Sequence, residues 1–145
     1  MLHWAEQWHA HPAIVHFPLA LFITAFLFNC LGIIFKKEPL QRTALHMYIA
    51  AALFAPLAVQ TGLWQEDFRQ IHHPVLSLHK TFALLTMWSS LISLPILWLS
   101  KKISLKQFKI TLCIFTLLMV IFVSSAGFLG GRMVFDYGIG IETEN

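Results

Sequence analysis

Charge is what this chain has least of. Only 12% of its 145 residues are Asp, Glu, Lys or Arg, against 57% hydrophobic, and the mean hydropathy is +0.69. A soluble domain of that composition would have too little polar surface to face water. An integral membrane protein is implied before any motif is read, with residues 1–145 expected to form one membrane domain. Cysteine is nearly absent. Cys30 and Cys113 both fall inside apolar runs, which excludes a secreted disulfide framework. Residues 1–10 hold no Lys or Arg, so no signal peptide with its basic start is expected. Glycine-rich nucleotide loops, zinc-finger spacings and basic stripes are missing, and no nucleic-acid partner is expected.

What is there in quantity is apolar sequence. Four runs, near 12–35, 43–64, 75–99 and 109–132, meet the ~20 residues that a helix needs to cross a bilayer. The connections are short, so consecutive helices must be antiparallel neighbours. The expected fold is all-α, a four-transmembrane-helix up-down bundle in contact with membrane lipid. Pro12 suits a helix start, where its missing N–H is not needed. Pro56 and Pro95 lie inside the second and third runs.

The few charges are unevenly placed. The first connection carries Lys36, Lys37 and Arg42 against Glu38, and the third carries Lys101, Lys102, Lys106 and Lys109 with no acid. By the positive-inside rule these two connections are cytoplasmic and both termini lie on the outer, periplasmic side. Trp4, Trp8 and Trp64 then sit at the outer interface, where aromatic belts form. His3, His9, His11, His16, His72, His73 and His79 share that side, and His46 lies near the inner one.

An ionisable residue just inside a membrane helix is costly in lipid and points to function. His16 follows Pro12 by four residues and His79 follows Pro74 by five, which puts both roughly 6–8 Å inside their helix starts. Their helices, the first and third, are diagonal in an up-down bundle, with axes roughly 11–14 Å apart. That gap suits two imidazoles on opposite faces of a haem b, since axial histidines are a standard way to hold haem iron. Small residues follow each histidine, Ala83, Thr86 and Ser90 after His79, and Ala20 and Thr24 after His16. Ser124, Gly127 and Gly131 lie on one face of the fourth helix, and Lys80 and Arg132 stand at the outer rim as cations for propionate groups. The expected cofactor-binding set is therefore His16, His79, Gly127, Gly131, Lys80 and Arg132. The expected role is electron transfer with a periplasmic or membrane redox partner rather than catalysis.

Plainer roles exist for each feature. Gly127 and Gly131 make a GxxxG spacing, the mark of a helix-packing face, and Lys80 and Arg132 are long enough to snorkel. Outer-side histidines also suit a bare zinc, copper or iron ion. That alternative uses His11, His16 and His79, although a spacing of five between His11 and His16 does not put both on one helix face. The third alternative is a cofactor-free structural subunit or oligomer component. His46, Cys30 and Cys113 approach a common inner depth, where a thiolate–imidazole site competes with inert burial of the cysteines.

The opening HPAIVHFPLAL, from His11 to Leu21, resembles the HPxxVHFPxAL of a bacterial family of small four-helix membrane proteins catalogued as a domain of unknown function. The ending GFLGGRMVFDYGIGIE is similar to that family's G-x-x-GG-x-x-VY-x-YG-x-G-V tail, and His79 matches its histidine early in the third helix. Phe135 and Asp136 replace the more usual Tyr and a variable residue. The resemblance covers nearly the whole chain and implies a multi-pass protein of the bacterial inner membrane, without implying an activity.

The charge asymmetry makes a direct prediction. In a background lacking Cys30 and Cys113, Glu38→Cys and Ser104→Cys should resist a membrane-impermeant thiol reagent added from the periplasmic side. Labelling of either in unpermeabilised cells would invert the orientation.

Overall fold

The structure, a computed structural model, describes residues 10–69 and 72–139. They form four helices, α1 (Ala10–Ile34), α2 (Glu38–Arg69), α3 (Pro74–Ile103) and α4 (Leu105–Phe135). No strand occurs among the described residues. Each helix is long and apolar enough to cross a bilayer. His3, Trp4, Trp8 and His9 lie outside the described residues.

The helices outrun the apolar runs that announce them. α2 begins at Glu38 rather than near 43 and ends at Arg69 rather than near 64, while α3 and α4 come within one residue of each other. Hydropathy marks where a chain meets hydrocarbon. A helix, which makes its own backbone hydrogen bonds, continues beyond that depth until something stops it. Ser104 is the stop between α3 and α4. It is extended (φ −162°, ψ 152°), caps the end of α3 and, through a side chain accepting from Gln107 N–H at 3.1 Å, starts α4. Lys101 and Lys102 in the last turn of α3 complement its dipole. The α1–α2 turn is a Schellman motif. Lys36 adopts a left-handed φ of 52°, Lys36 N–H donates to the Ile33 carbonyl at 3.3 Å, and Lys37 N–H donates to the Gly32 carbonyl at 3.0 Å.

α1 packs closely on α2, and α3 on α4. Contacts of α1 with α4 and of α2 with α3 close the ring, the α2–α3 seam being the loosest. α1 and α3 are therefore diagonal, as the short connections require. Between helices in lipid there is no hydrophobic driving force, so close backbone approach through small residues must do the joining. The buried face of α2 is accordingly Ala44, Tyr48, Ala51, Ala52, Ala55 and Ala58. Phe22 of α1 meets Tyr48 edge-on at 5.5 Å. Outward-facing Leu27, Leu53, Leu57, Ile92, Ile114 and Ile121 form part of the lipid surface.

Two inward rows run at seven-residue spacing, the period that keeps side chains on a helix–helix seam. On α1 the row is His11, Pro18, Ala25 and Gly32, and on α3 it is His79, Thr86, Ser93 and Ser100. Both histidines are half-buried and the other six residues are buried. Four fully buried polar side chains, one per helix, form two cross-helix pairs. Ser93 Oγ donates to the Ser90 carbonyl at 2.6 Å, so Tyr48 Oη, 2.6 Å away, is the donor to Ser93. Thr116 Oγ donates to the Leu112 carbonyl at 2.8 Å and accepts from Asn29 Nδ2 at 3.4 Å. Asn29 Oδ1 is buried with no protein partner.

Gly32 shows how tightly α1 and α2 are joined. A Cβ there would lie 2.6 Å from Gln41 Cγ and 3.1 Å from Gln41 N. Gly32→Ala should destabilise the protein by about 1–3 kcal/mol in detergent unfolding, the scale of overpacking in a closed core. Gly131→Ala, with nothing within 4 Å of the new carbon, should change stability by no more than about 0.5 kcal/mol in the destabilising direction.

Candidate functional site

The first residues of α1 and α3 bring two imidazoles together from opposite sides of the bundle. The His11 and His79 ring centres are 6.5 Å apart, with planes at 88°. Each ring is docked against the helix that its own helix pairs with. His11 lies against Gly62 of α2, where a Cβ would stand 2.8 Å from the ring's Cε1. His79 lies against Gly130 of α4, where a Cβ would stand 3.4 Å from Cε1. Glycine at position 62 is what lets the His11 imidazole reach the neighbouring backbone, whereas a Cβ at position 130 would make only ordinary contact with His79.

The hydrogen bonds fix which nitrogen carries the proton. Thr61 Oγ donates its proton to the Ala58 carbonyl at 2.9 Å. It can only accept from His11 Nδ1, 2.9 Å away. His79 Nδ1 stands 2.8 Å from the Ala126 carbonyl, which also can only accept. Both rings are thus Nδ1–H tautomers, and among the described residues no hydrogen bond is made to either Nε2. Histidines that bind metals are held in this way, one nitrogen donating to a carbonyl or hydroxyl while the other ligates.

His16 does not join this pair. It follows His11 by five residues, which turns it about 140° around α1. It is exposed, with Nδ1 against the carbonyl of Pro12 in its own helix. Of the pair expected from sequence, His16 with His79, the structure turns His16 away and sets the His11 ring against His79 instead, and the three histidines of the bare-ion alternative are not brought together. His73 serves differently again. Its Nδ1 accepts from Val75 N–H at 3.2 Å as the cap of α3, and its ring packs on Tyr137 at 4.4 Å. Among the described residues no three His, Cys, Asp or Glu side chains form a metal-binding group.

The remaining expected residues are spread around this end. Gly127 faces Leu19, 3.2 Å from where its Cβ would be, as a helix-packing glycine does. Gly131 opens onto free space, and Gly130 next to it is the one that meets an imidazole. Lys80 is paired to both carboxylate oxygens of Glu66 at 3.0 and 2.8 Å, tying α3 to the end of α2. Arg132 turns along its own helix to Asp136 Oδ2 at 2.7 Å and Tyr137 Oη at 3.0 Å. Cys30 and Cys113 are free, half-buried thiols. His46 lines a cleft beside Arg42 and Lys109.

A family model described as "Predicted membrane protein (DUF2231)" matches residues 8–143, and the chain belongs to that family. It is a multi-pass membrane protein whose four apolar helices contact lipid. No curated protein and no solved structure matches the chain.

The tautomers are directly observable. Nitrogen-15 NMR of the imidazoles in the metal-free protein should show His11 and His79 protonated at Nδ1, opposite to the Nε2–H form that free histidine prefers. Thr61→Val should release His11 from that form and leave His79 in it. An Nε2–H signal from both residues in the parent protein would show that the inter-helix bonds are not made.

Proposed function

We propose that this member of the family is a b-type haem protein of the bacterial inner membrane, with the haem held near the periplasmic face between His11 and His79. The observation that carries this is the pair itself, two imidazoles on diagonal helices with both Nδ1 atoms tied back and, among the described residues, no hydrogen bond to either Nε2. Two imidazoles sharing one metal through bonds of about 2 Å each would have their ring centres roughly 6 Å apart. The 6.5 Å separation agrees with that span. The donor count agrees as well. A haem iron asks the protein for only two axial ligands, and two is what the described residues bring together.

A haem held between α1 and α3 would be bordered by α2 and α4. The residues beside the imidazoles on those helices are Ala58 and Gly62, and Ala126 and Gly130, all of them small. Haem held by two imidazoles has no open coordination position and supplies one-electron transfer, which favours a periplasmic or membrane redox partner over substrate chemistry. Thr61 and the Ala126 carbonyl would hold the two rings by Nδ1 and so orient each Nε2 for ligation. The basic connections at the other end support, by the positive-inside rule, an outer position for the pair. A bare zinc, copper or iron ion between the same two nitrogens is the second reading, favoured by the same separation. It needs further ligands that the described residues do not supply.

The protein purified after expression with haem available should show, when reduced, the sharp bands of low-spin six-coordinate iron. His11→Ala and His79→Ala should each abolish the bands or leave five-coordinate iron. His16→Ala and His46→Ala should leave them unchanged. A colourless parent protein, or bands that survive both ligand substitutions, would refute the haem. Zinc, copper and iron analysis of the same sample then decides for or against the bare ion.

A further inference from the structure

The loosest seam of the bundle, between α2 and α3, opens at both ends. The cleft at the end far from the histidine pair, about 370 Å³, is lined by Glu38, Gln41, Arg42, Leu45 and His46 of α2, with Lys101, Leu105, Phe108 and Lys109 across from them. Its charges do not balance. Arg42, Lys101 and Lys109 face one carboxylate, Glu38, which reaches Arg42 only at 3.9 Å with both side chains largely in solvent. Pairing of that kind contributes little and leaves the guanidinium free for a better partner. The cleft at the other end, lined by Glu66, His72, His73 and Lys80, is different, because Lys80 there is fully engaged by Glu66.

From this we infer that the basic cleft holds one anionic phospholipid. Its phosphate would sit among Arg42, Lys101 and Lys109, and its acyl chains would leave the cleft over Leu45 of α2 and Leu105 and Phe108 of α4. Two observations select a lipid over a free phosphate. The cleft has an apolar wall as well as a basic one, and a free phosphate has no use for the former. It also lies at headgroup depth, because Lys102 packs its ammonium 3.5 Å from the centre of the outward-facing Trp98 ring, a pairing that belongs at a membrane–water interface. Basic pockets between membrane helices are recognised lipid headgroup sites.

Native mass spectrometry of the purified full chain, exchanged into detergent with phosphatidylglycerol or phosphatidylcholine, tests the site. The parent protein should retain one phosphatidylglycerol and release phosphatidylcholine. Arg42→Gln with Lys109→Gln should lower that retention roughly tenfold or more. Lys36→Gln with Lys37→Gln, which removes equal charge at the same end but outside the cleft, should preserve it. Equal retention of the two lipids by the parent protein would overturn the inference without reference to any variant. So would equal losses in the two double variants, which would show diffuse attraction rather than a site. Displacement of the lipid by millimolar inorganic phosphate would assign the cleft to a soluble anion instead. The bound-lipid count does not involve the histidine pair, so this result and the haem spectrum stand or fall separately.

Discussion

Apolar side chains gain nothing by leaving lipid for protein, so the bundle is held by how closely its backbones approach. That constraint explains the composition of its interior. α2 turns a row of alanines toward its neighbours, and Gly32 and Gly62 let α1 come so near that a single methyl group at either position would collide. Large apolar residues are used differently from those of a soluble protein, with leucine and isoleucine mostly outside and Phe22, Tyr48, Leu112 and Met119 as the few bulky groups fully enclosed. The same close approach makes room for imidazoles. A ring lying on a glycine occupies the space in which two ordinary side chains would have met.

Polar groups in such an interior have no water to fall back on, and their hydrogen bonds decide their chemistry. The hydroxyls of Thr61, Thr86, Ser90, Ser93, Ser100 and Thr116 each donate to a carbonyl of their own helix. A hydroxyl with its proton committed is only an acceptor. Tyr48 must then be the donor to Ser93, and His11 the donor to Thr61. The histidines divide by the same logic. In His73 the Nδ1 lone pair is spent on a helix cap, whereas in His11 and His79 Nδ1 is spent as a donor and, among the described residues, no hydrogen bond is made to Nε2.

The two ends of the molecule have opposite electrostatic character. Around the histidine pair, cations are neutralised locally, Lys80 by Glu66 and Arg132 by Asp136. At the other end Lys36, Lys37, Arg42, Lys101, Lys102, Lys106 and Lys109 are opposed by Glu38 alone. A neutralised end can hold a group between two imidazoles without a strong local field. A basic end that also orients a membrane protein is well suited to keep an anionic lipid beside it.

The number of helices, their antiparallel order and the diagonal placement of α1 and α3 were legible in the sequence, because run length and short connections leave little choice. His79 and the small residues Thr86 and Ser90 below it were legible for the same reason, since α3 carries a polar stripe that reveals which face turns inward. On α1 no such stripe exists. From Phe17 to Phe35 it is apolar on nearly every side apart from Thr24 and Asn29, so its rotation about its own axis leaves no mark in composition. The depth of His16 below its helix start favoured it over His11, and the five residues between them amount to about 140° of rotation. What set that rotation is tertiary. Gly32 against Gln41, Phe22 against Tyr48 and Asn29 against Thr116 each fix one point of contact. Together they turn His11 inward onto Gly62 and His16 out. The partners Thr61, Gly62, Ala126 and Gly130 were hidden for a related reason. They are ordinary small residues in helices full of them, and only the packing of one hairpin against the other selects which of them touch a ring.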